Sequence, residues 1–292
     1  MSCETANYHD FGKVVNKLRE FFNSKGFVEV HPQSKLSILA ACEDPTTMAT
    51  YNYNGLVWPL PQTGQMWLEN YLLDHPKEKG FYCVSTSYRN EPNPVEGRHD
   101  KIFPMFEFET HGGMDVLLEL EKGLLEHLGF TKDMYENNEY PEGDYDDIAK
   151  KYGVKELEHE HEEQLNKDHG PVHFIKNFPQ HTSPFWNMRL NDEKTHANKI
   201  DVILHGMETI GSAERSINKD DMRSMFNNIS GGEYSNTLNA QFNRERVQSE
   251  LNEFLGHTFI PRCGGGIGVT RIIRAMKLSN LILLDFFFRN HI

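Results

Sequence analysis

A run of glycines, a set of arginines and a pair of carboxylates are the residues of this chain whose types and spacing could do chemistry. Gly264-Gly265-Gly266-Ile267-Gly268-Val269-Thr270-Arg271 lets backbone come close to a ligand, and a helix starting after it would favour an anion. The run lacks the Gly-Lys-Ser/Thr of a Walker loop and the spacing of a dinucleotide-binding turn, so a tight strand-to-helix turn accounts for it equally well. Arg271 opens that helix, where a guanidinium can lie over an aromatic base or pair with phosphate. A second group runs Ser87-Tyr88-Arg89-Asn90-Glu91, then Arg98-His99, then Phe103. These residues could clamp a triphosphate and a base, or form a polar hairpin with surface ion pairs. The third group is Asp201 and Glu208, with Gly206 between them and Arg215 beyond. Two carboxylates at one strand end can hold Mg²⁺ against phosphate oxygens, although acid pairs are common.

Elements must position these groups, and the hydrophobic pattern outlines them. Phe11, Val14, Val15, Leu18, Phe21 and Phe22 make one buried face of a helix over 11–22. Gly26 stops it, and a strand over 27–30 ends at Pro32. Strands fit 81–88 and 103–109, joined by a loop containing Pro92, Pro94 and Gly97. A helix fits 114–128, and further strands fit 172–175 and 200–204. Strands and helices mix without a regular βαβ rhythm, which points to an α+β fold, an antiparallel sheet flanked by helices. Seven acidic residues between Asp133 and Asp147 read as a solvated loop or insertion within about 131–170. His159-Glu160-His161 has i, i+2 spacing that does not share a helix face, so it reads as charged surface.

Composition limits the function classes. The 292 residues carry 30 Lys+Arg against 43 Asp+Glu, a formal charge of −13, which disfavours an extensive grip on phosphate backbones. With 19 Phe and 11 Tyr, the chain can bury a core. No apolar run reaches membrane length, and the N-terminus lacks a signal-peptide layout. Cys3, Cys42, Cys83 and Cys263 lie far apart without a CxxC, which fits a reduced, cytoplasmic setting. No repeat or linker appears, so residues 1–292 read as one domain.

Taken together and in order, the three groups resemble the catalytic domain of class II aminoacyl-tRNA synthetases, in the aspartate/asparagine/lysine subgroup. Residues 11–32 resemble motif 1, residues 81–109 motif 2 and residues 263–276 motif 3. The resemblance implies a homodimer built through motif 1, and ATP and Mg²⁺ as cofactors. It places Arg89 on the α-phosphate and the attacked carboxylate, Glu91 by the adenine amino group, and Arg98 and His99 toward the γ-phosphate. Phe103 and Arg271 would stack on adenine, and Asp201 and Glu208 would hold the metal. For the amino acid it implies Gln65 in Gln62-Thr63-Gly64-Gln65 near the α-amino group, and Glu43 as ammonium partner. Arg215 would read the side-chain end of aspartate or asparagine, and Glu107 would accept from a carboxamide.

Some positions depart from the family pattern. Leu68 stands where aspartyl enzymes place a lysine, which favours an asparagine-like pocket. Thr270 and Ile102 replace acids, and Gly211 replaces a serine near the metal. Motif 1 begins about ten residues from the start, which leaves no room for the subgroup's anticodon-binding barrel. Free-standing relatives include ammonia-dependent asparagine synthetases, whose motif 3 commonly reads Gly-Gly-Gly-Ile-Gly. The expected function is therefore ATP-dependent activation of an amino acid as its adenylate, with aspartate and ammonia as substrates. Alternatives are a tRNA ligase-like enzyme acting on tRNA or another acceptor, and an inactive nucleotide-binding regulatory paralogue. A membrane partner is not expected.

Overall fold

The computed structural model describes residues 8–33, 35–39, 47–94, 97 and 100–282. The chain opens with helix α1 (Tyr8–Ser24), whose Val14, Val15, Leu18, Phe21 and Phe22 are buried, as their 3.6-residue spacing requires. Short strand β1 (Val28–Glu29) follows, then hairpin β2 (Thr50–Tyr53) and β3 (Leu56–Pro59), and helix α2 (Gln65–Asp74). Strands β4 (Gly80–Tyr88) and β5 (Ile102–His111) lead to α3 (Met114–Leu128). Left-handed Gly129 ends α3, as a glycine without a Cβ can do at low cost.

The acidic stretch is more ordered than a solvated loop. It forms edge strand β6 (Glu142–Asp144) and runs into α4 (Tyr145–Tyr152). Two tyrosines explain the difference, since Tyr140 and Tyr145 are buried and anchor the segment. Glu142 pairs with Lys122 at 2.5 Å and Lys176 at 2.8 Å, so charge that looked solvated is partly matched. Helix α5 (His159–His169) begins at the His-Glu-His segment, where His161 Nδ1 accepts from the Glu158 backbone N–H in a capping box. Among the described residues no group of three His, Cys, Asp or Glu side chains could hold a metal.

Strands β7 (Val172–Pro179), β8 (His196–Leu204) and β9 (Met207–Glu214) come next. They precede helices α6 (Lys219–Asn228), α7 (Glu233–Phe242) and α8 (Arg244–Gly256). Strand β10 (Arg262–Gly268) and helix α9 (Val269–Leu278) complete the described chain. Eight strands form one sheet in the order β1-β4-β5-β10-β9-β8-β7-β6. Among the described residues only β1 with β4 and β6 with β7 pair in parallel, so the sheet is mainly antiparallel, as the sequence pattern implies.

Helices α1, α3 and α9 cover one sheet face through a core that includes Leu18, Phe22, Phe106, Phe108, Leu124, Ile210, Ile267 and Ile272. A second core gathers Trp186, Phe226, Tyr234, Leu251 and Phe254 around α6 to α8. The opposite side of the central strands, where α2 packs on β4 and β5, is where the candidate residues meet. No helix among the described residues is long and apolar enough to cross a membrane.

Candidate active site

Period-two alternation splits β5 between core and cavity. Phe106 and Phe108 join the helix-side core, so Glu107 and Glu109 project to the other face. Opposite them in register stand Gly266 and Gly264 of β10. The glycine run is thus a central strand rather than a turn, and none of its glycines has a positive φ. Its glycines are needed for what they lack. A Cβ at Gly264 would fall inside the Glu109 carboxylate and the Phe108 carbonyl, and one at Gly266 would lie 2.7 Å from Met105 Cε. On the helix side, a Cβ at Gly265 would crowd Ser212. Bare backbone therefore floors a cavity of about 310 Å³. Its lining includes Arg89, Glu91, Gln65, Glu107, Arg215 and Arg271.

The segment before α2 closes over Glu107. Thr63 Oγ1 and Ser85 Oγ donate to it, and the Gly64 N–H donates at 2.8 Å. Burial pushes the Glu107 carboxyl up, and the bonds from Ser85, Thr63 and Gly64 oppose that push. Glu107 lines the cavity, with its oxygens already serving three donors. Leu68 does not line it. It packs with Leu72, Phe81 and Cys83, so the residue type at position 68 bears on that apolar cluster.

Arg215 sits at the centre of a buried charge cluster that the sequence does not announce. Its guanidinium donates to both oxygens of Glu109 at 3.2 to 3.4 Å and also to Gln65 Oε1. Glu69 of α2 lies 3.8 Å from Arg215 Nε. Glu69 in turn accepts two N–H bonds from Arg262, at 2.9 and 2.7 Å, and one from Asn187 Nδ2 at 2.6 Å. A carboxylate accepts only, so Asn187 must present its amide nitrogen to Glu69 and its oxygen elsewhere. That Oδ1 is buried without a hydrogen-bond partner among the described residues, as is Gln65 Nε2, and both residues line the cavity. Buried polar atoms left open in this way are suited to a bound molecule.

Arg89, at the end of β4, places its guanidinium 5.7 Å from the centroid of Phe103, a cation–π distance across the two strands. Arg271, in the first turn of α9, donates to the Glu208 carbonyl at 2.6 Å and stands 3.7 Å from its carboxylate. Asp201 and Glu208 converge over Gly211. A Cβ there would be 2.9 Å from Glu208 Oε1 and 3.6 Å from Asp201 Oδ1. Two carboxylates reaching one spot are hard oxygen donors of the kind that would hold Mg²⁺. Lys199 Nζ holds Asp201 at 2.9 Å. Glu43, Arg98 and His99 lie outside the described residues.

A mainly antiparallel sheet with motif-bearing strands β4, β5 and β10 around this cavity defines a class II synthetase fold. The sequence matches the tRNA synthetases class II (D, K and N) family over residues 5–284, and the chain belongs to it. It is 24% identical to the aspartate–tRNA(Asp) ligase of Pyrobaculum aerophilum and 26% identical to that of Thermoplasma volcanium. Each comparison covers 90% of this chain, which spans 62% and 63% of the lengths of those two relatives. The structure resembles Pyrococcus horikoshii asparaginyl-tRNA synthetase complexed with asparaginyl-adenylate, with a TM-score of 0.72 at 20% identity. That likeness covers 92% of this chain and 64% of the other. The Entamoeba histolytica asparaginyl-tRNA synthetase complex with asparaginyl-adenylate also gives 0.72, at 17% identity, over 92% of this chain and 63% of the other.

Proposed function

We propose that this chain is an AMP-forming ligase that activates aspartate with ATP as an acyl-adenylate and passes the acyl group to ammonia. The observation that carries the adenylation reading is the joining of Arg89, Phe103, Glu208 and Arg271 with Gln65 and Arg215 around one cavity. Arg89 would steady the α-phosphate and the attacking carboxylate, with adenine between Phe103 and Arg271 and its amino group near Glu91. Asp201 and Glu208 would hold Mg²⁺, which supplies charge neutralisation to the phosphates. The carboxylate oxygen attacks the α-phosphorus in line and pyrophosphate leaves, so catalysis is positioning and electrostatics without a protein nucleophile.

Chemistry fixes how aspartate must lie. Asparagine forms only if the side-chain carboxylate is the one activated, so that end must reach Arg89 while the α-carboxylate reaches Arg215. Transfer of the α-carboxyl to tRNA needs the reverse orientation. Arg215 meets a carboxylate of aspartate in both cases, and a guanidinium suits either. The open Asn187 Oδ1 and Gln65 Nε2 supply an acceptor and a donor for the remaining polar ends. The −13 charge of the chain favours a small nucleophile over a long phosphate backbone.

The test is amino-acid-dependent ATP–pyrophosphate exchange across the twenty amino acids, followed by product analysis. Aspartate-dependent exchange, with asparagine appearing on addition of ammonium, is the expected outcome. Aspartate or asparagine esterified to added tRNA would move the function to the tRNA-ligase branch. No exchange with any amino acid would remove the adenylation reading and leave a nucleotide-binding role.

A further inference from the structure

The buried cluster around Arg215 holds three carboxylates and two guanidiniums, and the carboxylates differ in what satisfies them. Glu107 takes three uncharged donors from Thr63, Gly64 and Ser85. Glu69 takes two N–H bonds from Arg262 and one from Asn187. Glu109 differs, because among the described residues its hydrogen bonds all come from Arg215. On the reading above, the group that compensates Glu109 is also the group that receives the substrate. A second carboxylate at Arg215 would compete with Glu109 for one guanidinium and its hydrogen bonds, and Glu109 is wholly shielded from water that could replace them. An uncompensated buried charge costs several kcal/mol, so the cluster must shed one.

We infer that Glu109 takes up one proton from solvent when an aspartate carboxylate reaches Arg215, and that this exchange is what allows the pocket to bind an anionic amino acid. The proton goes to a Glu109 oxygen, and the substrate carboxylate takes its place on the guanidinium. No other bond forms or breaks. The groups facing Glu109 leave it the fitting acceptor. Glu69 of α2 adds negative charge, Arg262 of β10 is engaged with Glu69, and Arg215 is the group being shared. Glu107 on the same strand is already held by its three donors. The Cys263 thiol of β10 is pushed up by burial and stays protonated. Burial likewise pushes the Glu109 carboxyl up, Arg215 holds it down, and Glu69 raises it further. A substrate that takes over Arg215 removes the restraint and leaves the two influences that favour protonation. Movement cannot relieve the charge toward β10, because the carboxylate already lies against the Gly264 backbone.

The experiment is calorimetric titration of the full chain with L-aspartate, without ATP, in two buffers of different ionisation enthalpy. Near pH 8 the buffer dependence is expected to read uptake of about one proton per aspartate, and Kd is expected to rise up to about tenfold per pH unit between about 7 and 8.5. In Glu109→Gln the uptake falls to zero and Kd becomes flat with pH. Aspartate binding by the wild-type chain with a pH-independent Kd and no uptake overturns the inference, whether or not the variant folds. Uptake that persists in a folded Glu109→Gln variant overturns it as well. Binding without a proton removes only this inference, whereas no binding of aspartate removes the function proposed above along with it.

Discussion

Gly264 and Gly266 stand two residues apart on one strand face, yet substitution strains different neighbours at each. At Gly264 the obstacles are the Phe108 carbonyl and the buried Glu109 carboxylate, and backbone cannot step aside. Gly264→Ala is therefore expected to cost about 3 kcal/mol by chemical denaturation. At Gly266 the obstacle is the mobile tip of Met105, so Gly266→Ala should cost less than ~1 kcal/mol and mainly raise KM by narrowing the cavity. Equal losses of stability in the two variants would show that the floor is not set by these contacts. Arg271→Ala tests the nucleotide side of the site. Its guanidinium is part-exposed and bonds Glu208 in the cavity wall, so the denaturation midpoint and oligomeric state should hold while ATP–pyrophosphate exchange falls at least ~100-fold. Activity near wild type would undo the assignment of Arg271. Arg89, Phe103, Asp201, Glu208 and Arg271 were legible in the sequence because each lies in a short motif with fixed spacing. Glu69, Asn187 and Arg262 were not, because their partners lie 118 and 193 residues away and no local pattern records that. Glu109 could have been found, since it shares a strand face with Glu107.

Elements were legible wherever periodicity was clean. Helix α3 spans Met114–Leu128, as its apolar spacing implies, and β4 and β5 differ from expectation by one or two residues at their ends. Local pattern was less informative for β6 and α4, where acids dominate the composition and two buried tyrosines decide the packing. The same was true of β10, because glycines carry no side chains from which a strand period could be read. The β7–α5 contact makes a prediction of its own. His173 of β7 is buried, its ring centroid 5.2 Å from that of His169 of α5, and its Nδ1 has no hydrogen-bond partner among the described residues. Burial, aided by His169 and Lys151, pushes its pKa from 6.5 down to about 4. The fold holds the ring neutral while the unfolded chain protonates it below 6.5. Stability is thus fully present above that pH and is lost as pH falls toward 4, by up to about 3 kcal/mol. His173→Phe should flatten the fall in denaturation free energy between about pH 6.5 and 4.5. An unchanged slope would mean that another group governs acid sensitivity there.

At the scale of the whole molecule, the −13 charge and the segment formed by α1 and β1 lead to separate expectations. Light scattering should give twice the 33.8 kDa chain mass if the motif 1 segment pairs two copies, and a monomer would remove that expectation. Total tRNA should leave aspartate-dependent exchange unchanged at about 0.15 M salt. A tRNA-stimulated rate would point back to the tRNA-ligase branch. The position of β10 has a further consequence, for how the molecule is made. It is the last strand of the described chain, but it lies between β5 and β9 and joins the three strands on one side to the four on the other. While a ribosome is still producing residues before 262, the two part-sheets have no strand to join them, and the inner edges of β5 and β9 carry unsatisfied backbone groups. The pairing of β10 with β5 closes a loop of about 150 residues, a slow kind of contact to form. A nascent chain can therefore build both walls of the cavity long before it has a floor, and the cavity is whole only once β10 has been made.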